Sequence, residues 1–188
     1  MIRIPEYDYI IHADGAYSRK RDEGAFAFII CNGYEEPVIK KAYTIKHETN
    51  NRAELKAIIA ALYQLPQDAK KVLVESDSQY ALMTLFGSWS RKKNEDLFDV
   101  YEKIISERRF VIEWSWVKGH SGDTFNEMCD EMCNQVLGYN ANEEYEKYKR
   151  IKEKKDKNSG SVLLYWKLFV SLQKISRTKT GAWIETLS

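Results

Sequence analysis

FVIEWSWVKGHSGDTFNEMCDEMCNQV, residues 110–136, is the stretch from which the rest of the chain can be read. A β-prone run delivers Trp114 and Trp116, breaks at Lys118-Gly119-His120-Ser121-Gly122, and hands over to a helical pattern carrying Glu127, Asp130 and Glu131. A histidine in a short glycine-hinged loop, with a carboxylate in the helix that follows, suits metal-assisted chemistry on a phosphate. The run before the loop alternates, with Phe110, Ile112, Trp114 and Trp116 on one side and Val111, Glu113 and Ser115 on the other, so it reads as a half-buried strand. The helix starts near Asp123, runs at least to Val136 and ends at Gly138.

Upstream, three carboxylates stand where elements begin or end. Tyr9-Ile10-Ile11-His12-Ala13 is a short apolar strand that stops at Asp14-Gly15, a pair that also reads as a turn. Strands over residues 24–30 and 38–44, joined by a turn at Asn32-Gly33, complete an antiparallel meander. At Glu48-Thr49-Asn50-Asn51-Arg52 the period changes from two to near 3.6. Asn50 or Asn51 can cap this helix, Ala53, Ala57, Ile58, Ala61, Leu62 and Leu65 form its buried stripe, and Pro66 closes it. Glu54 sits in its first turns, where acids are also common for dipole reasons. Residues 71–76 lack alternation, as a central parallel strand does, and end at Asp77-Ser78; that position faces the ligand side of an open α/β sheet, although an N-cap also explains Asp77. A basic loop over 87–94 holds Trp89, and a helix over 95–107 buries Leu97, Val100, Tyr101, Ile104 and Ile105.

Bulk properties set the class. With 188 residues, 44% hydrophobic and 30% charged, the chain reads as one globular domain with an appendage and has no collagen-like or solenoid period. A net charge of +1 neither demands nor excludes a polyanionic partner. Cys31, Cys129 and Cys133 are an odd set without two further zinc ligands nearby, so they read as reduced core thiols. No secretory leader is evident at the amino terminus, which points to a cytoplasmic location. Residues 142–157 are strongly charged, with Glu143/Lys147 and Glu146/Arg150 at i,i+4 spacing. Residues 162–175 carry Leu164, Leu168, Leu172 and Ile175 as an amphipathic helix, too short and too interrupted to span a bilayer but able to dock on the core, bind a protein partner or lie on a membrane surface.

The order of elements, with Asp14-Gly15, Thr49-Asn50-Asn51-Arg52-Ala53-Glu54-Leu55, Ser76-Asp77-Ser78-Gln79-Tyr80, Asn94-Glu95-Asp96-Leu97-Phe98, Trp114-Ser115-Trp116-Val117-Lys118-Gly119-His120-Ser121-Gly122 and Asn126-Glu127-Met128-Cys129-Asp130, resembles the ribonuclease H family, in its bacterial type I form, over residues 7–138. The resemblance implies an α/β ribonuclease H-like fold, a five-stranded mixed sheet with three antiparallel strands then two parallel ones, flanked by helices. It places a ribonuclease H domain at 1–140 and leaves 141–188 as a charged helix or linker plus the amphipathic helix. It implies an endonuclease, read as a monomer without a membrane span, that hydrolyses the RNA strand of RNA–DNA hybrids to 5′-phosphate and 3′-hydroxyl ends with two Mg²⁺ ions, Mn²⁺ being able to substitute. Asp14, Glu54, Asp77 and Asp130 become the metal-holding catalytic carboxylates, and His120 a residue for proton transfer or product release. Gly15, Asn50 and Gln79 become contacts to the hybrid, Thr49 and Asn94 contacts to a DNA phosphate, and Trp89 and Phe98 lie near its aromatic channel.

Two departures bear on substrate. Residues 16–23 lack the glycine- and proline-rich sequence usual in the family, and 88–94 are too short for its basic protrusion, so hybrid affinity should be weaker and its rate more salt-sensitive unless the basic residues of 142–157 compensate. The competing readings are a same-fold nuclease for double-stranded RNA, separable by comparing substrates, and a non-catalytic or partner-dependent hybrid-binding module.

Overall fold

The structure is a computed structural model that describes residues 5–119 and 123–138. His120 and the segments 142–157 and 162–175 lie outside the described residues. The elements are β1 (Tyr9–Ser18), β2 (Glu23–Asn32), β3 (Pro37–Ile45), α1 (Asn50–Gln64), β4 (Lys71–Ser76), α2 (Gln79–Leu85), α3 (Glu95–Glu107), β5 (Val111–Trp116) and α4 (Thr124–Val136). The sheet order is β3-β2-β1-β4-β5; β2 is antiparallel to β1 and β3, while β4 is parallel to β1 and β5. This is the five-stranded mixed sheet that the element order predicts. Among the described residues no helix is long and apolar enough to cross a membrane.

Alternation along β1 divides the core. Ile11 and Ala13 join Phe28, Ile30, Val72 and Val74 beneath α1, α2 and α3. Each fully buried aliphatic side chain in that layer contributes on the order of 2 kcal/mol. His12 has the opposite parity and meets α4, its ring 4.7 Å from that of Phe125. All six residues of the predicted α1 stripe are buried, and α1 ends at Gln64 because Leu65, preceding Pro66, is extended at ψ 140°.

Local grammar fails at four places. β1 does not stop at Asp14-Gly15, because its pairing with β2 continues to Ser18 opposite Glu23. Gly15 serves a close approach: a Cβ there would lie 2.4 Å from the Ala53 carbonyl carbon and 2.6 Å from Glu54 N. The cap of α1 is Thr49, whose hydroxyl accepts from Arg52 N, and the cap of α2 is Ser78, so neither Asn50 nor Asp77 has that role. Val100 is exposed, and Phe98 takes its place in the core because α3 turns that side toward α1. Trp114 and Trp116 are 38% and 46% exposed, since β5 is an edge strand. The three cysteines are free and buried, as expected.

Candidate active site

Four elements bring carboxylates together at one end of the parallel strands. The pairing of β1 with β4 ends at His12 opposite Glu75, so Asp14 lies just past the last β4 partner, where the sheet opens. Asp77 follows the end of β4, and Glu54 comes from the second turn of α1, whose backbone the absent side chain at Gly15 lets approach β1. Asp130 arrives on α4, whose Cys129 thiol donates toward His12 O at 3.4 Å and whose Cys133 thiol lies 3.8 Å from Asp14 O. The cysteines therefore hold α4 against β1 as thiols: burial pushes both Cys129 and Cys133 far from ionising.

The electrostatics follow from that convergence. Burial, then the charges of Asp77 and Asp130, push the Asp14 carboxyl up to about 7, against a hydrogen bond from Gly15 N at 2.7 Å and with a smaller push from Glu54. Burial and Asp77 also raise Glu54, whereas hydrogen bonds from Ser78 and Asn50 lower it. Asp14, Glu54 and Asp77 form no ion pair among the described residues. An all-oxygen set whose members repel one another fits a hard divalent cation, which removes the repulsion it relieves.

Outer contacts orient these acids, and two of the residues making them were not singled out in the sequence. Ser78 donates to Glu54 Oε2 at 2.6 Å while its oxygen caps Ala81 N at 3.1 Å. Asn50 Nδ2 donates to Glu54 Oε1 at 2.7 Å, and its Oδ1 accepts from Tyr17 N at 3.1 Å. Asn126, buried on α4, donates to Asp77 Oδ2 at 3.3 Å. A cap motif hints at Ser78; nothing in the local pattern points to Asn126. A Cβ at Gly119 would fall 2.5 Å from Asp77 Oδ2, so the glycine lets the loop after β5 close on the carboxylate. The Trp116 indole fixes the same corner by donating to Asp77 O at 2.9 Å.

Beside the carboxylates runs a cleft of about 690 Å³ lined by Tyr17, Arg19, Thr49, Asn50, Asn51, Tyr80, Ser90, Lys92, Lys93 and Asn94. Three sequence-predicted residues, Thr49, Asn50 and Asn94, meet there. Asn94, at φ 65°, is held by the Tyr80 hydroxyl at 3.0 Å and by Arg52 at 3.3 Å. Arg52 in turn grips Asp96 with two bonds of 2.7 and 2.6 Å. Gln79 is exposed at the start of α2 and Trp89 is exposed in the basic loop, neither among the cleft-lining residues. Phe98, only 4% exposed, is a core residue under the Arg91 guanidinium and offers no stacking face to a substrate. Arg91 itself turns inward to Thr84 O and Leu85 O, which leaves Lys92 and Lys93 as the outward charges of its loop.

Comparison with known proteins bears on the family and the fold. The family model described as RNase H matches residues 6–137. The Ribonuclease H of Actinobacillus pleuropneumoniae serotype 5b (strain L20) is 35% identical over 153 residues, covering 70% of this chain and 96% of that protein. The Ribonuclease H of Treponema denticola is 30% identical over 158 residues, covering 68% and 98%. Among solved structures, the N-terminal RNase H domain of a Mycobacterium tuberculosis protein, fused to maltose-binding protein, aligns with a TM-score of 0.60 at 22% identity, over 69% of this chain and 93% of that one. That last match is a likeness of fold.

Proposed function

Because the chain belongs to the RNase H family, and is thereby a hydrolase acting on RNA in RNA–DNA hybrids, we propose that it cuts the RNA strand internally by two-metal catalysis, leaving 5′-phosphate and 3′-hydroxyl ends. The observation that carries this reading is the convergence of Asp77, Asp130 and Glu54 on a buried Asp14, whose carboxyl is held near 7 by burial first and by those charges second. Two divalent ions, Mg²⁺ with Mn²⁺ able to substitute, supply water activation and charge neutralisation at the scissile phosphate and the departing 3′-oxygen. Asp14, Glu54, Asp77 and Asp130 hold them.

The chain's own groups do the rest. Ser78 and Asn50 keep both Glu54 oxygens aimed, and Asn126 does the same for Asp77. Asn50 retains one N–H and one lone pair after its bonds to Glu54 and Tyr17, enough to meet a ribose 2′-hydroxyl, and exposed Gln79 offers a second amide. Thr49, Asn94, Lys92 and Lys93 suit a backbone phosphate of the DNA strand in the adjoining cleft. His120, which matches the loop histidine of the family's motif, is assigned proton transfer or product release by that resemblance. In this reading the activity resides in residues 1–140 and the tail serves affinity or a partner.

The test is cleavage of a labelled hybrid by the full chain, with double-stranded and single-stranded RNA alongside. Wild type should require Mg²⁺ and prefer the hybrid, while Asp77→Asn should lose more than the roughly 10–100-fold typical of outer-contact removal. Full activity in Asp77→Asn would sink the two-metal assignment, and equal cleavage of double-stranded RNA would sink the substrate assignment.

A further inference from the structure

A second cluster lies on the α4 side of the sheet and is separate from the four carboxylates. His12 and Glu75 are register partners on β1 and β4, and the imidazole Nδ1 is 3.4 Å from Glu75 Oε2. Asp123, which caps α4 by accepting from Asn126 N at 2.8 Å, completes a set with one ligand atom from each residue, all within 4.8 Å of one another. His12 is 4% exposed and covered by Phe125, yet neither ring nitrogen has a hydrogen-bond partner. Burying a polar group without a partner is costly, and native structures avoid it unless something else fills the need.

A divalent cation satisfies all three side chains at once. A water between His12 and the two acids could bond to each, but would leave Glu75 and Asp123 repelling one another. We propose that His12, Glu75 and Asp123 form a three-ligand site for a divalent transition-metal ion of the zinc type, which ties β1 and β4 to the amino terminus of α4. The imidazole nitrogen is what selects it, since Mg²⁺ prefers an all-oxygen shell while imidazole suits Zn²⁺ and its neighbours. One neutral imidazole and two carboxylates balance a charge of two, and three protein ligands leave a fourth position for water. Ligand atoms around tetrahedral zinc sit about 3.4 Å apart at bond lengths of about 2.1 Å, so the widest pair in the set, within 4.8 Å, has to close by up to about 1.4 Å. Glu75 and Asp123 are only half-buried and have the room to do so. The site reaches the catalytic carboxylates through Asn126, whose N–H meets Asp123 and whose amide meets Asp77.

The test uses the full chain, stripped with a chelator and held in excess Mg²⁺, titrated with Co²⁺ as a spectroscopic stand-in. One equivalent should bind with a visible d–d band that Zn²⁺ displaces and Mg²⁺ does not. Glu75→Gln and Asp123→Asn should each weaken binding at least about tenfold, as even an outer contact to a metal does. Asn serves as well as Asp at an N-cap, so the latter variant keeps the helix start and stays informative if His12→Phe fails to fold. Glu54→Gln, on the opposite face, should lose hybrid cleavage and keep the Co²⁺ band, which separates this site from the proposed catalytic one. Absence of the band, its displacement by Mg²⁺, or unchanged binding in both Glu75→Gln and Asp123→Asn would overturn the proposal, because Co²⁺ would then be elsewhere, for example on the exposed His47–Asp22 pair.

Discussion

Asp14→Asn in the metal-free protein gives the sharpest test of the crowded carboxylates. The wild-type carboxyl ionises at about 7 instead of its ordinary 3.8, so between those values the folded chain binds a proton that the unfolded chain releases. Stability from this group is therefore present below pH 3.8 and lost as pH rises through 7. A gap of about three pH units at about 1.4 kcal/mol each gives about 4 kcal/mol, which partial exposure and relaxation reduce to about 2–4 kcal/mol. His12 works in the opposite direction. Burial lowers it from 6.5 to about 4 against the pull of Asp123, so its contribution, about 3 kcal/mol by the same conversion, is lost as pH falls from 6.5 through 4.

Between about pH 4 and 6.5 these two slopes oppose one another, so the wild-type profile alone would hide both groups. The difference between variant and wild type isolates Asp14, because Asn cannot ionise yet still accepts from Gly15 N. Urea denaturation in chelator at pH 4 to 8, followed by far-ultraviolet circular dichroism, should find the two proteins equally stable near pH 4. Near pH 8 the variant should lead by about 2–4 kcal/mol. Saturating Mg²⁺ should reverse the order, since it stabilises only a folded state that can hold it. A difference that stays constant within about 0.5 kcal/mol over that range would refute the reasoning, because Asp14 would then ionise alike in both states.

Other perturbations read the remaining contacts. Ser78→Ala removes both the α2 cap and the bond to Glu54 Oε2, so it should lower stability by about 1 kcal/mol and hybrid cleavage roughly 10–100-fold, measured by denaturation and steady-state kinetics. Gly15→Ala drives a methyl group into the backbone of α1 at 2.4 Å and should lower stability by about 1–3 kcal/mol or more by calorimetry, with cleavage falling further because Glu54 moves. Lys92→Ala and Lys93→Ala should each weaken hybrid binding at low salt and reduce the slope of log affinity against log salt by about 1, with cleavage at saturating hybrid unchanged.

The parts of the site visible in the sequence are those whose signal is local. Asp77 follows a β-prone strand and Glu54 lies in the early turns of a helix, and both positions survive translation into three dimensions. Asp14-Gly15 has the grammar of a turn, and it misleads because that grammar describes the chain's preference in isolation. Here β2 supplies a partner for every residue to Ser18, and the glycine answers instead to α1, a helix that begins 35 positions later. The same limit explains α1's cap. Thr49 and Asn50 are equally good candidates by type, and what separates them is that Glu54 and Tyr17 already occupy the Asn50 amide.

Edge position is equally invisible to periodicity. The alternation of β5 marks a strand with two different faces, but whether a face is covered depends on its neighbours, and β5 has only β4 beside it. Trp114 and Trp116 therefore stay open although their spacing predicts burial. His12 is the converse case: an imidazole inside an apolar strand passes unnoticed until parallel pairing sets Glu75 opposite it and α4 brings Asp123. A histidine in a central strand deserves a search of the adjacent strand for an acid at the matching register, because that pairing requires no neighbour in sequence. Of the proposed catalytic carboxylates Asp77 is legible because it stands at the end of an element, and Asp14, Glu54 and Asp130 because of the motifs around them, whereas the His12 set depends on register, and register is settled only when the sheet is assembled.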